Sequence, residues 1–273
     1  IGDPQNSIVR AQNIFGHLAA LAAILWATQP LLAGPPFQLD DPDVIPYGHF
    51  EYYAFGNMSS SPGQIDTSGP AVEFNWSGLR NVMFHFLFPA GAAYPSDGPA
   101  TFGLADSEIG VQYRFIQETK HRPMIGTFTM MEIPTGNPDK GLGAGRPSWK
   151  VPLYAQKTLG SWTIDGGGGE DFSNIAGARN YRFGGTLIMR DVSKKLTLGT
   201  ELFYHGQQTV DSRYAAMVDF GGFYTIHDPG FQLLFCYGHS VAGQAENYAY
   251  LALYWTRKGK GIDGFLASHL PHF

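Results

Sequence analysis

Residues 105–115 read ADSEIGVQYRF. Ile109, Val111, Tyr113 and Phe115 stand at odd positions, and Glu108, Gly110, Gln112 and Arg114 stand between them. Successive side chains of an extended strand point to opposite faces, so this stretch has one oily face and one wet, charged face. Moving outward, the pattern repeats. Residues 82–88 set Val82, Phe84, Phe86 and Phe88 against His85, and residues 72–76 set Val72, Phe74 and Trp76 against Glu73 and Asn75. Further on, Tyr181, Phe183, Leu187 and Met189 oppose Arg182, Thr186 and Arg190. Leu196, Leu198 and Leu202 oppose Glu201, and Ala216, Val218 and Phe220 oppose Asp219. Residues 122–133 are apolar on both faces, which predicts packing against something inside the fold.

Such alternation fits either a soluble sandwich, with the oily face inside, or a transmembrane β-barrel, with the oily face on lipid. Three features favour the barrel. The segments run about 9–11 residues, the length of a tilted membrane crossing. Aromatics collect near segment ends (Tyr52, Trp76, Phe88, Trp149, Trp162, Tyr181, Tyr204, Tyr248, Trp255), as interfacial girdles require. The links also sort by length: 57–67, 90–105, 134–147, 171–180, 206–212 and 240–245 are long, whereas 77–81, 118–121, 159–160, 191–194 and 226–229 are short. The reading is an all-β, closed antiparallel transmembrane β-barrel of about 12 strands over 48–257, with short periplasmic turns and longer extracellular loops.

Composition agrees. The chain has 273 residues with 35 Gly, 14% aromatic and only 15% charged residues. Mean hydropathy is −0.14, too low for a helical membrane protein. A net charge of −5 lacks the basic stripe that nucleic acid requires. The single cysteine, Cys236, excludes an intrachain disulfide and reads as a small apolar filler. Residues 18–32 (LAALAAILWATQPLL) hold an apolar run too short for a helical span and fit a secretory signal peptide cleaved near Ala33–Gly34. Residues 1–34 are thus expected to be a signal peptide with an upstream extension, 35–47 a periplasmic lead-in, and 258–273 a C-terminal extension. The Pro- and Asp-rich lead-in cannot join a strand ladder.

Glu73, His85, Glu108, Arg114, Glu132, Lys150, Arg182, Arg190, Glu201 and Asp219 share the parity of the wet face and form the expected lumen lining. Their mixed signs fit either a salt-bridged interior or a selectivity lining. A twelve-stranded barrel lies between those filled by side chains and open porins. No catalytic set emerges. His239 and Ser240, adjacent in a strand beside Glu246, point to opposite faces and cannot pair directly. No HExxH or CxxC spacing supports a metal site, and neither GLGAG (141–145) nor GGGG (166–169) has the strand–loop–helix setting of a nucleotide site, so no cofactor is expected.

One resemblance covers about residues 35–256. The lead-in PPFQLDDPD with Gly48-His49-Phe50-Glu51, the block 105–115, Glu132-Ile133-Pro134-Thr135-Gly136, Gly141-Leu142-Gly143, and residues 190–199 (RDVSKKLTLG) together resemble the bacterial outer-membrane proteins of the phenol-degradation meta-pathway family, often labelled simply transporters. The resemblance implies a non-enzymatic barrel in outer-membrane lipid that admits small, often aromatic, solutes by passive diffusion. It departs at the end: Arg257 follows Trp255-Thr256 where such barrels carry a terminal aromatic, and KGKGIDGFLASHLPHF continues to Phe273. A closed structural or surface-binding barrel and an outer-membrane hydrolase are the alternatives.

Overall fold

The computed structural model describes residues 36–173, 177–227 and 231–264. The expected signal peptide and the end of the expected C-terminal extension lie outside them. Thirteen strands follow one another: β1 His49–Ser61, β2 Gln64–Leu79, β3 Val82–Pro95, β4 Thr101–Leu104, β5 Ser107–Ile116, β6 Met124–Ile133, β7 Ser148–Leu159, β8 Trp162–Ser173, β9 Tyr181–Ser193, β10 Leu196–His205, β11 Ala215–His227, β12 Phe231–Gly243 and β13 Asn247–Lys258. Neighbouring strands pair antiparallel, β4 and β5 both against β3, and β1 pairs with β13 from His49↔Lys258 to Ser60↔Asn247, which closes the sheet. Strands β4 and β5 share one lane beside β3, broken at 105–106, so the wall has twelve lanes. Closure leaves no unpaired edge, the only way a sheet can stand in hydrocarbon.

The parity of link lengths persists only in part: two links on the long side become short, and the β5–β6 link 117–123 on the short side is longer than expected. Expected loops 57–67 and 240–245 shrink to the turns 62–63 and 244–246 because their strands run on past the polar boundary. Loop 134–147 keeps its full span. On the opposite rim, Lys157 Nζ lies 2.7 Å from Glu118 Oε1 and ties the β5–β6 turn to β7. This ammonium holds the Glu118 carboxyl below the usual carboxylate range. Strand β8 runs straight through Gly166–Gly169. The tyrosine ring of Tyr154 explains one of these glycines: a Cβ on Gly167 would sit 2.6 Å from its Cδ1.

Outward rows are apolar. Val72, Phe88, Val111, Leu153, Leu202, Phe220 and Leu251 are exposed on the outer surface. Aromatic pairs band the short-turn rim, among them Tyr52–Trp255 at 5.5 Å and Trp76–Phe84 at 5.8 Å between ring centroids. Tyr204–Tyr214 and Tyr94–Phe102 mark the other rim, at 6.0 and 5.8 Å. Tyr181 and Tyr248, read as girdle residues from their place near strand ends, are buried inside instead. Leu251 lies between the bands, opposite Phe235 and two residues from Leu253. Arginine there would face hydrocarbon at mid-depth, so Leu251→Arg is expected to cost roughly 2–4 kcal/mol. Equilibrium denaturation in lipid bilayers measures it; a loss under about 1 kcal/mol would contradict a lipid-facing row.

Candidate functional site

The decisive feature of the interior is chain, not side chain. Residues 36–47 do not hang below the barrel, as the periplasmic lead-in reading expected; they cross its lumen. Phe37 and Leu39 are 1% and 3% exposed and sit in an apolar layer with Tyr53, Phe128, Met130, Leu187, Met217, Leu234 and Tyr250. This layer is what the two-faced apolar character of β6 anticipated: Met124, Phe128 and Met130 point inward.

Polar clasps fix both ends of the strap. The backbone N–H groups of Gln38 and Leu39 donate to the two oxygens of Glu201 at 2.9 and 2.7 Å. The Gln38 side-chain amide donates to Asp219 Oδ2 at 2.7 Å. Glu201 and Asp219 are direct partners across β10–β11, so one glutamine lies between two carboxylates. Across the lumen, Tyr154 donates to Asp40 at 3.2 Å, Gln112 donates to the Asp41 carbonyl at 2.6 Å, and Arg114 pairs with Asp43 at 2.9 Å. The strap thus spans from the β10–β11 wall to the β5–β7 wall. Its prolines and aspartates bar it from a ladder, and enclosed wall side chains supply the partners that a ladder would have given.

Beside the strap lies a second network. His85, fully buried, places Nδ1 2.8 Å from Asn75 Oδ1 and Nε2 3.0 Å from Glu108 Oε1. Glu73 lies 3.4 Å from the same ring. Asn75 donates to Glu73 at 2.7 Å and to Glu51 at 3.3 Å, and Tyr254 donates to Glu51 at 2.9 Å.

Of the ten residues read from parity, eight face inward. Glu73, His85 and Glu108 come together; Glu201 and Asp219 hold the strap; Arg114 binds it near the short-turn rim. Glu132 accepts from Ser148 at 3.0 Å, and Lys150 sits 5.7 Å from the Phe183 ring centroid. Arg182 and Arg190 are corrections, because both lie on the outer face of β9. Arg190 stacks 5.1 Å from the Trp162 ring centroid at the short-turn rim, and Arg182 is paired in register with outward Glu170 near the other rim. A charge at a rim reaches headgroups and water, so it does not mark the lumen face. The real inward row of β9 is Tyr181, Phe183 and Leu187.

Parity missed Asp165 and Asp171, since the glycines of β8 hide its alternation, and it also passed over His205. That histidine shares the parity of Glu201, which was the available signal. His205 Nε2 lies 2.8 Å from Glu246 Oε2. His239 points outward to Asn247 at 2.8 Å, while Ser240 Oγ accepts from the Glu246 backbone N–H at 2.9 Å, so His239, Ser240 and Glu246 form no catalytic set. Among the described residues, no group of three acidic, His or Cys side chains converges as metal ligands.

Above the strap, on the long-loop side, is a cavity of about 100 Å³. Gln38 reaches its floor, and Glu132, His205, Glu246 and Tyr248 are in its wall. Its roof is loop 134–147, folded in over the break between β4 and β5. Asp106 pins that loop by accepting from the N–H groups of Gly136 and Ala144 at 2.7 and 2.6 Å.

No family model matches the chain, and no curated protein matches it. Among solved structures, the outer membrane channel from Pseudomonas putida F1 superposes with a TM-score of 0.66 at 16% identity, over 80% of this chain and 98% of that one. The protein has the outer-membrane β-barrel fold. The NanC porin is a more distant likeness, with a TM-score of 0.51 at 9% identity over 76% of this chain and 98% of that one. At these identities the likeness is one of fold.

Proposed function

We propose that this protein is a bacterial outer-membrane channel for small solutes, held shut at mid-height by its own residues 36–47. The observation that carries the reading is how the strap is held. It is a short irregular segment bound by side-chain clasps and two apolar anchors, inside a wall that closes without it. Buried polar atoms without protein partners, among them both Asp165 carboxylate oxygens, support a hydrated interior. Aromatic rings around the strap (Tyr53, Phe55, Phe128, Tyr154, Tyr250) suit an aromatic solute moving by passive diffusion. That solute class also follows from the resemblance to the phenol-degradation meta-pathway family.

Planar-bilayer recording of the intact barrel and of a 36–47 deletion tests the proposal. Rare or small current steps from the first and large, frequent ones from the second are expected. The burial of Phe37 and Leu39 favours a second reading, a permanently closed structural barrel. It predicts no steps at all from the intact protein, even where the deletion conducts, once heat-modifiable folding is verified.

A further inference from the structure

We infer that the cavity above the strap, on the long-loop side, is a binding site for the ammonium group of a small organic cation. The inference names a solute class for the proposed channel and rests on that reading only in placing the cavity on the path. Four carboxylates, Asp66, Asp106, Glu132 and Glu246, belong to the lining, and no Lys or Arg does among the described residues. Asp106 spends both oxygens on loop 134–147 and serves the roof. The others remain available. Glu132 gives one oxygen to Ser148, and Asp66 gives one to Gln64 at 2.7 Å.

Independent of the charge count, two polar atoms in this lining are buried and unpartnered: Glu246 Oε1 and the Tyr248 hydroxyl. Both residues are 7% exposed. Glu246 gives its other oxygen to His205. Orphaned buried acceptors carry a desolvation cost that a bound donor relieves. A primary ammonium brings three N–H donors and no acceptor, which matches that need. Tyr248 adds an aromatic ring against which a cation gains further attraction.

Other ligand classes fit less well. An anion would meet four carboxylates, and the imidazole in the lining, His205, is already paired with Glu246. A divalent metal would require converging ligands, and none converge among the described residues. The dispersed carboxylates instead suit a cation with an organic body. At roughly 10–15 Å³ per water-sized group, the cavity admits a solute of roughly seven to ten heavy atoms. Enclosure by low-dielectric walls focuses the negative potential and strengthens the preference.

Three probes of similar size test the site: benzylammonium, benzyl alcohol and benzoate, titrated calorimetrically into the folded full-length barrel in detergent. Benzylammonium is expected to bind at least about tenfold more tightly than benzyl alcohol, with benzoate undetectable. Glu246→Gln and Glu132→Gln are each expected to weaken benzylammonium several-fold, while Glu118→Gln, on the opposite rim, leaves it unchanged. Should Glu246→Gln fail to fold, Glu132→Gln carries the test alone. Equal binding of all three probes, or benzylammonium binding indifferent to the folded variants, overturns the inference. The titration needs no current, so a barrel that binds benzylammonium but never conducts would sink the channel reading and leave the site standing.

Discussion

Replacing Glu201 by glutamine is expected to raise the open fraction of the barrel roughly 10- to 100-fold. The carboxylate accepts two backbone N–H groups of the strap, from Gln38 and Leu39. An amide keeps one acceptor and turns a donor toward the other N–H, so one charge-assisted bond is lost and its neighbour weakened. Hydrogen bonds to charged groups contribute about 1.5–3 kcal/mol, which sets that range. The barrel wall is not expected to suffer, because the new amide can donate to Asp219, its register partner. Opening remains partial for a reason of magnitude. Phe37 and Leu39 each contribute about 1.5–3 kcal/mol of apolar burial, together more than the clasp. Phe37→Ser added to Glu201→Gln is therefore expected to open the barrel further than either change alone. Open probability and step size in planar bilayers measure this. If both variants and the 36–47 deletion conduct like the intact chain, the strap is no gate.

How much of this was legible in the sequence depends on which face of a strand meets water. Where a strand carries a charge in its middle, as at Glu73, Glu108, Glu201 and Asp219, parity gave the correct face, because hydrocarbon excludes a mid-strand charge. In β9 the charges, Arg182, Arg190 and Asp191, lie near the two ends, where a side chain reaches the interface from either face. The parity of that strand was therefore inverted. Residues 36–47 show a different limit. Their composition excluded a ladder strand, yet the same prolines and aspartates suit a solvated arm and an enclosed strap alike. The apolar pair Phe37 and Leu39 was the local clue, and the greasy inner face of β6 was its counterpart. Linking the two needs contacts across 70 or more residues, which no local pattern encodes. The cavity was unreadable for the same reason: its polar groups come from β2, β6, β10 and the β12–β13 turn, far apart in sequence.

His85→Ala is expected to destabilise the folded barrel by about 3–5 kcal/mol, the cost of leaving buried charge without its partner. The imidazole is fully buried and lies against Glu108 and Glu73, which are themselves 6% and 3% exposed. Asn75 and Glu51 continue the chain of contacts to the Tyr254 hydroxyl, so the hole cannot close by a simple side-chain turn. Alanine also opens a gap against Phe128, whose ring centroid is 5.2 Å from that of the histidine. Two effects are then mixed, and a second variant separates them. If unpaired charge dominates, adding Glu73→Gln and Glu108→Gln to His85→Ala returns most of the loss, because neutral amides need no cation and can bond to one another. If the cavity dominates, the triple variant stays as unstable as the single one. Denaturant midpoints in lipid, read by heat-modifiable migration, distinguish these outcomes. A single variant within about 0.5 kcal/mol of the intact protein would mean that His85 is held by its neighbours without holding them.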